Sequence, residues 1–246
     1  MNRVQNKLIV ALDVQTADEA RRLVASLRGI AGMFKIGSQL FTSAGPDFVK
    51  EIVKAGEKIF LDLKFHDIPN TVAAAGVEAT RLGVSIFNVH ASGGSPMMQR
   101  TLAAVAECAA REGLALPAVI GVTVLTSSSD ASLKEIGVHE KADVMVARLA
   151  KLVAQNGLDG VVASAREVSL VREVVTKPGF IIVTPGVRPV GAGNDDQARV
   201  MSPREAIAAG ADYLVVGRPI TAATDPGCAA QQIIDEMQNT ARASII

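Results

Sequence analysis

Eight short apolar runs, rich in valine and isoleucine, recur along the chain: KLIVALDV (7–14), MFKIGSQ (33–39), KIFLDLKF (58–65), VSIFNVHA (84–91), PAVIGVTVL (117–125), DGVVASA (159–165), FIIVTPGV (180–187) and DYLVVGRPI (212–220). Runs this short and continuous predict strands covered on both faces. Helix-like stretches lie between them, with recognisable start and stop signals. Thr16 is placed to cap ADEARRLVASL, and Asn70 or Thr71 to cap VAAAGVEATRL. Pro96 and Pro203 fall at first-turn positions of MMQRTLAAVAECAAREG and REAIAAG. Gly29, Gly56, Gly83, Gly113, Gly157 and Gly210 close helices. Strand–helix alternation predicts a parallel sheet. Eight repeats in one chain predict an α/β fold of the closed (β/α)8, TIM-barrel kind rather than an open doubly wound sheet. No GxGxxG follows the first strand, which counts against a dinucleotide fold. No Pro/Ser linker or shift in composition divides residues 1–246, so they read as a single domain.

Composition narrows the function classes. Of 246 residues, 49% are hydrophobic but only 3% aromatic, with no Trp, so the core is aliphatic. The 25 basic and 25 acidic residues balance, and no run of like charge appears, which argues against a nucleic-acid partner. Two cysteines, Cys108 and Cys228, make neither a disulfide framework nor a metal cluster, and three scattered histidines make no metal site. No segment has the roughly 20 apolar residues of a membrane span. The amino-terminal apolar run is short, β-branched and closed by Asp13, unlike a signal peptide. The expectation is a soluble cytoplasmic protein without a membrane partner.

In a (β/α)8 barrel the reactive groups stand at the carboxyl ends of the strands. Here those ends carry Asp13, Lys35, Asp62 and Lys64, His90, Thr123 and Thr126, Ser164, Thr184 and Arg188, and Gly217 and Arg218. Asp62 and Lys64 are two apart on a strand and so face the same side, into the mouth, while Leu61, Leu63 and Phe65 face the helices. Pro69 forces Ile68 into an extended conformation and leaves Asp67 in a loop at the rim. An interior ion pair that merely closes the mouth would also place Asp62 beside Lys64. Lys35, arriving from the second strand, makes that account insufficient, because lysines and carboxylates then alternate in one small volume. At about 4 Å and an effective dielectric near 20, each such pair interacts by roughly 4 kcal/mol. A lysine held between carboxylates stays protonated, which suits it to donate a proton and not to form a Schiff base.

A second cluster follows strands seven and eight, in VTPGVRP (183–189) and VVGRPIT (215–221). This is where such barrels bind phosphate. Gly186 and Gly217 let backbone N–H groups approach an anion, and Arg188 and Arg218 offer forked donors, though turn glycines with solvated arginines would look alike. Between them, GVRPVGAGNDDQARVMSP (186–203) has the length and glycine content of a lid. Gln197 and Asn194 could reach a ligand from it, or Asn194, Asp195 and Asp196 could be plain surface. Asp13 could accept from a sugar hydroxyl or cap the next helix. Thr126 could bond a ring amide or begin a turn. His90 reads more simply as a structural residue, and His66 and His139 as loop or surface residues.

FLDLKFHDIPNTV (60–72), with its Asp-x-Lys-x-x-Asp core, resembles the signature of the orotidine 5′-phosphate decarboxylase family. The likeness covers nearly the whole chain: VALDV, FKIG, NVHASGG, GVTVLTS, TPGVRP and VVGRPIT follow in the family's order. The resemblance implies conversion of orotidine 5′-phosphate to UMP and CO2 in pyrimidine biosynthesis, without metal or organic cofactor. It implies that Asp13 and Lys35 contact the ribose, Lys35 also joining the charge network. Asp62 would flank the departing carboxylate, and Lys64 would protonate C6 of the pyrimidine. Asp67, Ile68 and Thr71 would reach into the neighbouring subunit's site in a homodimer, and Thr126 would contact the ring. Arg188, Gln197, Gly217 and Arg218 would hold the phosphate. The nearest rival resembles 3-keto-gulonate 6-phosphate decarboxylase and related Mg2+-dependent sugar-phosphate enzymes. They share the core motif but place a metal-binding acid on strand two, where this chain has Lys35. A non-catalytic phospholigand-binding barrel would not need both Lys35 and Lys64 between acids.

Overall fold

A computed structural model describes residues 4–189 and 201–243. All eight anticipated strands form: β1 (Leu8–Ala11), β2 (Met33–Gly37), β3 (Ile59–Phe65), β4 (Ile86–His90), β5 (Ala118–Val122), β6 (Gly160–Val162), β7 (Ile181–Pro185) and β8 (Tyr213–Val216). Each pairs in parallel with the next, and β8 pairs with β1, closing the barrel. The helices are α1 (Ala17–Leu27), α2 (Ser38–Lys54), α3 (Pro69–Arg81), α4 (Gly94–Glu112), α5 (Asp130–Glu135), α6 (Ala142–Gln155), α7 (Val168–Val174), α8 (Pro203–Ala208), α9 (Arg218–Thr221) and α10 (Pro226–Ala243). Among the described residues no helix is long and apolar enough to cross a membrane.

Period-two alternation sorts the side chains into two layers. Leu8, Val10, Leu12, Phe34, Ile36, Ile59 and Leu61 point outward into the layer shared with the helices. Ile9, Ala11, Met33, Phe60, Ile86, Ile120, Val183 and Val215 fill the interior. Burying each large aliphatic side chain contributes about 1.5–3 kcal/mol. Two neighbours approach so closely at β6 that only glycine fits: a Cβ on Gly160 would stand 2.1 Å from the Ile181 carbonyl oxygen.

The local signals hold with two exceptions. Thr16 caps α1 in a reciprocal box with Glu19, and Pro203 opens α8 behind the Ser202 cap. All six helix-closing glycines have positive φ. Helix α3, however, begins one residue before Asn70, with Pro69 in its first turn and Ile68 at the N-cap, without a side-chain cap. Proline at the first helical position removes one of the N–H groups that the helix start would otherwise leave without a partner. Helix α2 is broken at Gly45 (φ 72°), just before Pro46, a kink not anticipated.

Thr184 also departs from expectation. It belongs to the outward file of β7 with Ile182, not to the mouth, and it is fully buried. Its Oγ1 has no hydrogen-bond partner among the described residues. Thr184→Val keeps the shape and removes an unsatisfied hydroxyl, so it is expected to stabilise the barrel by roughly 1 kcal/mol. Urea unfolding measures this, and a lowered midpoint would show that the hydroxyl is in fact satisfied.

Candidate active site

The inward files end in polar residues at the carboxyl end of the barrel. There they line a cavity of about 350 Å³ whose walls include Asp13, Lys35, Asp62, Lys64, Thr126, Gly186 and Gly217. Interior files that are apolar lower down thus become polar or charged one layer higher: Met33 is followed by Lys35, Phe60 by Asp62, Ile86 by Asn88.

The charges form one row. Asp13 Oδ1 lies 3.0 Å from Lys35 Nζ, Lys35 Nζ lies 3.3 Å from Asp62 Oδ2, and Lys64 Nζ lies 2.7 Å from Asp62 Oδ1. Signs alternate along it. The Lys35 and Asp62 side chains are only 10% and 12% exposed, so they are screened far less than surface pairs. Gly37 makes room for the row, since a Cβ there would meet Lys35 Nζ at 3.1 Å.

Asp62 and Lys64 share the mouth as expected, but a regular strand is not what brings them together. Between Leu61 and Phe65, four steps along β3 match only two along β4, from Phe87 to Val89, so β3 bulges where the charges lie. Lys64 has φ 52°, and is the one non-glycine residue of positive φ among those described. That conformation costs on the order of 1–3 kcal/mol and persists only where the surroundings hold it. The Lys64 N–H donates to the side chain of Asn88 at 2.8 Å, and the Asn88 amide donates to Asp62 Oδ1 at 2.7 Å. Asn88 is fully buried. Sequence reasoning passed over it, although an amide inside the apolar IFNVH run was a visible signal.

The other candidates divide. Thr126 lines the cavity with Val124 and Leu125; Leu125 is 42% exposed and was also not foreseen. Gly186 (φ 76°) and Gly217 reach the wall, while Arg188, in the loop beyond β7, and Arg218, the first residue of α9, do not form it. Arg188 N–H donates to the Met201 carbonyl. Gln197, with Asn194, Asp195 and Asp196, lies outside the described residues. Asp67, Ile68 and Thr71 are exposed and contribute nothing to this chain's own cavity wall. Asp67 Oδ1 accepts the Ile68 N–H at 2.6 Å, and among the described residues Asp67 makes no ion pair within the chain. His90 packs against His66, ring centroids 5.4 Å apart. Burial, with His66 and Lys64 nearby, holds its pKa below the usual histidine value. Ser164 opens a short turn through its box with Glu167 instead of facing the cavity.

Residues 6–233 match the family described as orotidine 5′-phosphate decarboxylase / HUMPS. The chain is 56% identical over 233 residues to the orotidine 5′-phosphate decarboxylase of Syntrophotalea carbinolica, covering 95% of each chain. It is 50% identical to that of Geobacter sulfurreducens, covering 96% of this chain and 98% of the relative. A crystal structure of orotidine 5′-phosphate decarboxylase from Lactobacillus acidophilus superposes with a TM-score of 0.81 at 35% identity, covering 94% of this chain and 98% of the other.

Proposed function

The chain belongs to the orotidine 5′-phosphate decarboxylase / HUMPS family and is a carboxy-lyase, and from that premise we propose that it converts orotidine 5′-phosphate to UMP and CO2 by protonating C6 from Lys64. The observation that carries the reading is the row Asp13–Lys35–Asp62–Lys64. The bond from C6 to the carboxylate breaks and its electron pair stays on C6. Neutral CO2 leaves beside Asp62, whose negative charge disfavours the substrate carboxylate next to it and so favours moving that charge onto C6. Lys64 Nζ, 2.7 Å from Asp62, then gives its proton to C6, and solvent restores it. A cation fixed before the carbanion develops need not reorganise during the reaction.

The remaining assignments rest on the family likeness. Asp13 and Lys35 hold the ribose hydroxyls and Thr126 the ring. Arg188, Gly217 and Arg218 hold the phosphate, with Gln197 closing over it. Binding energy at the phosphate, far from C6, is available to drive closure and so to serve the chemical step. Asp67, Ile68 and Thr71 serve the site of a second copy. In favour of that, Ile68 is 67% exposed and the Asp67 carboxylate has no charged partner in its own chain among the described residues. An isologous dimer would cover the one and engage the other.

The Mg2+-dependent alternative fits the donor set poorly. Lys35 Nζ stands between Asp13 and Asp62, and its positive charge opposes a divalent cation there. Among the described residues no group of three His, Cys, Asp or Glu side chains is arranged to hold a metal. The deciding experiment follows the ultraviolet absorbance of orotidine 5′-phosphate with and without EDTA. Turnover is expected, at the same rate in both. No turnover by folded protein, or loss of it with EDTA, would transfer the assignment to the sugar-phosphate enzymes.

A further inference from the structure

We infer that Asn88 is a positioning residue for the reaction, holding Lys64 and Asp62 in register through the two ends of one side-chain amide; the inference rests on the decarboxylase reading above. Asn88 sits in the inward file of β4, opposite the stretch where β3 bulges. A bulge removes a ladder partner from the backbone. The Lys64 N–H, turned aside by its positive φ, finds the Asn88 Oδ1 at 2.8 Å instead. The other end of the same amide donates to Asp62 Oδ1 at 2.7 Å. Only one orientation of the amide satisfies both neighbours, because an N–H must meet an oxygen and a carboxylate must meet a donor.

The choice of oxygen gives the amide its leverage. Asp62 Oδ1 accepts from Asn88 and from Lys64 Nζ, whereas Oδ2 faces Lys35. Asn88 therefore sets the plane of the carboxylate that separates the two ammonium groups. It fixes Lys64 twice, directly at the backbone nitrogen and indirectly at Nζ through Asp62. A residue needed only to fill the barrel interior would need neither bond, and an aliphatic side chain would serve. With zero exposure, Asn88 touches no ligand itself. It acts through the two groups it holds.

The test compares Asn88→Ala and Asn88→Ser with the parent protein by kcat, KM, UMP affinity, thermal midpoint and hydrogen exchange at the Lys64 amide. Misplacing a reacting group by about 1 Å costs on the order of 100-fold. Asn88→Ala is expected to lose about that much in kcat while UMP affinity stays within about threefold. Asn88→Ser keeps a short hydroxyl near the Lys64 N–H and is expected to fall between the two. Should the alanine variant fail to fold, the serine variant carries the same comparison. A kcat within about threefold of the parent, or kcat and UMP affinity falling in proportion, would overturn the inference. If the parent protein does not turn over orotidine 5′-phosphate at all, the decarboxylase reading fails separately. Exchange at the Lys64 amide then decides alone: at least tenfold faster in Asn88→Ala supports the hold (about a tenfold change in local opening), and an unchanged rate overturns it.

Discussion

Lys64→Ala is expected to fold, to bind UMP within about tenfold of the parent, and to lose turnover by roughly 10⁴-fold or more. The size follows from removing two contributions at once. A positioned proton donor is worth about 10²–10⁴-fold and a preorganised charge at the developing anion about 10²–10³-fold. The fold should tolerate the change, because the lysine side chain is 35% exposed and its loss does not orphan Asp62. Asp62 keeps the ammonium of Lys35 at 3.3 Å and the amide of Asn88 at 2.7 Å. This matters for interpretation, since stripping a buried carboxylate of every partner would cost about 3–5 kcal/mol and confound the measurement. Absorbance-monitored turnover and calorimetric titration with UMP separate the two quantities. Turnover within tenfold of the parent would remove Lys64 from the proton transfer. Loss of UMP binding in parallel would make it a binding residue only.

The second large effect is a gain. Asp67→Ala alone is expected to be inactive, yet mixing it with Lys64→Ala should restore activity. In a dimer whose sites each draw Asp67 from the opposite subunit, a hybrid has one site with both defects and one with neither. Equal amounts of freely exchanging subunits give half hybrids, so about a quarter of the parental activity should return. The structural motive is the rim position of Asp67, beyond the end of β3, with its carboxylate turned to the Ile68 N–H and not to the charge row. Differently tagged subunits establish that exchange has occurred. No recovery after proven exchange would sink the shared site and leave Asp67 with a role inside its own chain or none.

Much of this arrangement was legible in the order of residues, for physical reasons. Period-two alternation determines which side of a strand a residue occupies, and so Lys35, Asp62 and the outward Leu61 and Phe65 could be placed without coordinates. Proline's restriction on its neighbour located Ile68 correctly. The β3 bulge was not legible, because register shifts depend on how two distant strands meet. The inference that Asp62 and Lys64 share a side survived because the bulge still returns Lys64 to the mouth, by way of a left-handed backbone that no propensity for lysine would suggest. Thr184 failed for the complementary reason. A polar residue at a strand end was counted toward the mouth although its neighbours Val183 and Pro185 hold the inward positions. Asn88 stood out as an amide in an apolar run, but its meaning emerged only when the bulge showed which backbone donor lacked a partner.

The alternation of signs along Asp13, Lys35, Asp62 and Lys64 has a consequence for how a ligand first meets the protein. Two positive and two negative groups cancel when viewed from afar, so the row has almost no monopole and its field dies away within a few ångströms. A nucleotide diffusing in from bulk water feels nearly nothing of it. Under the proposed assignment, long-range attraction falls to Arg188 and Arg218, beyond β7 and β8, which would treat any phosphorylated visitor alike. The row judges only what has already docked, at a range where each end of it acts as a separate pole. Capture and discrimination are thereby assigned to different electrostatic length scales within one cavity.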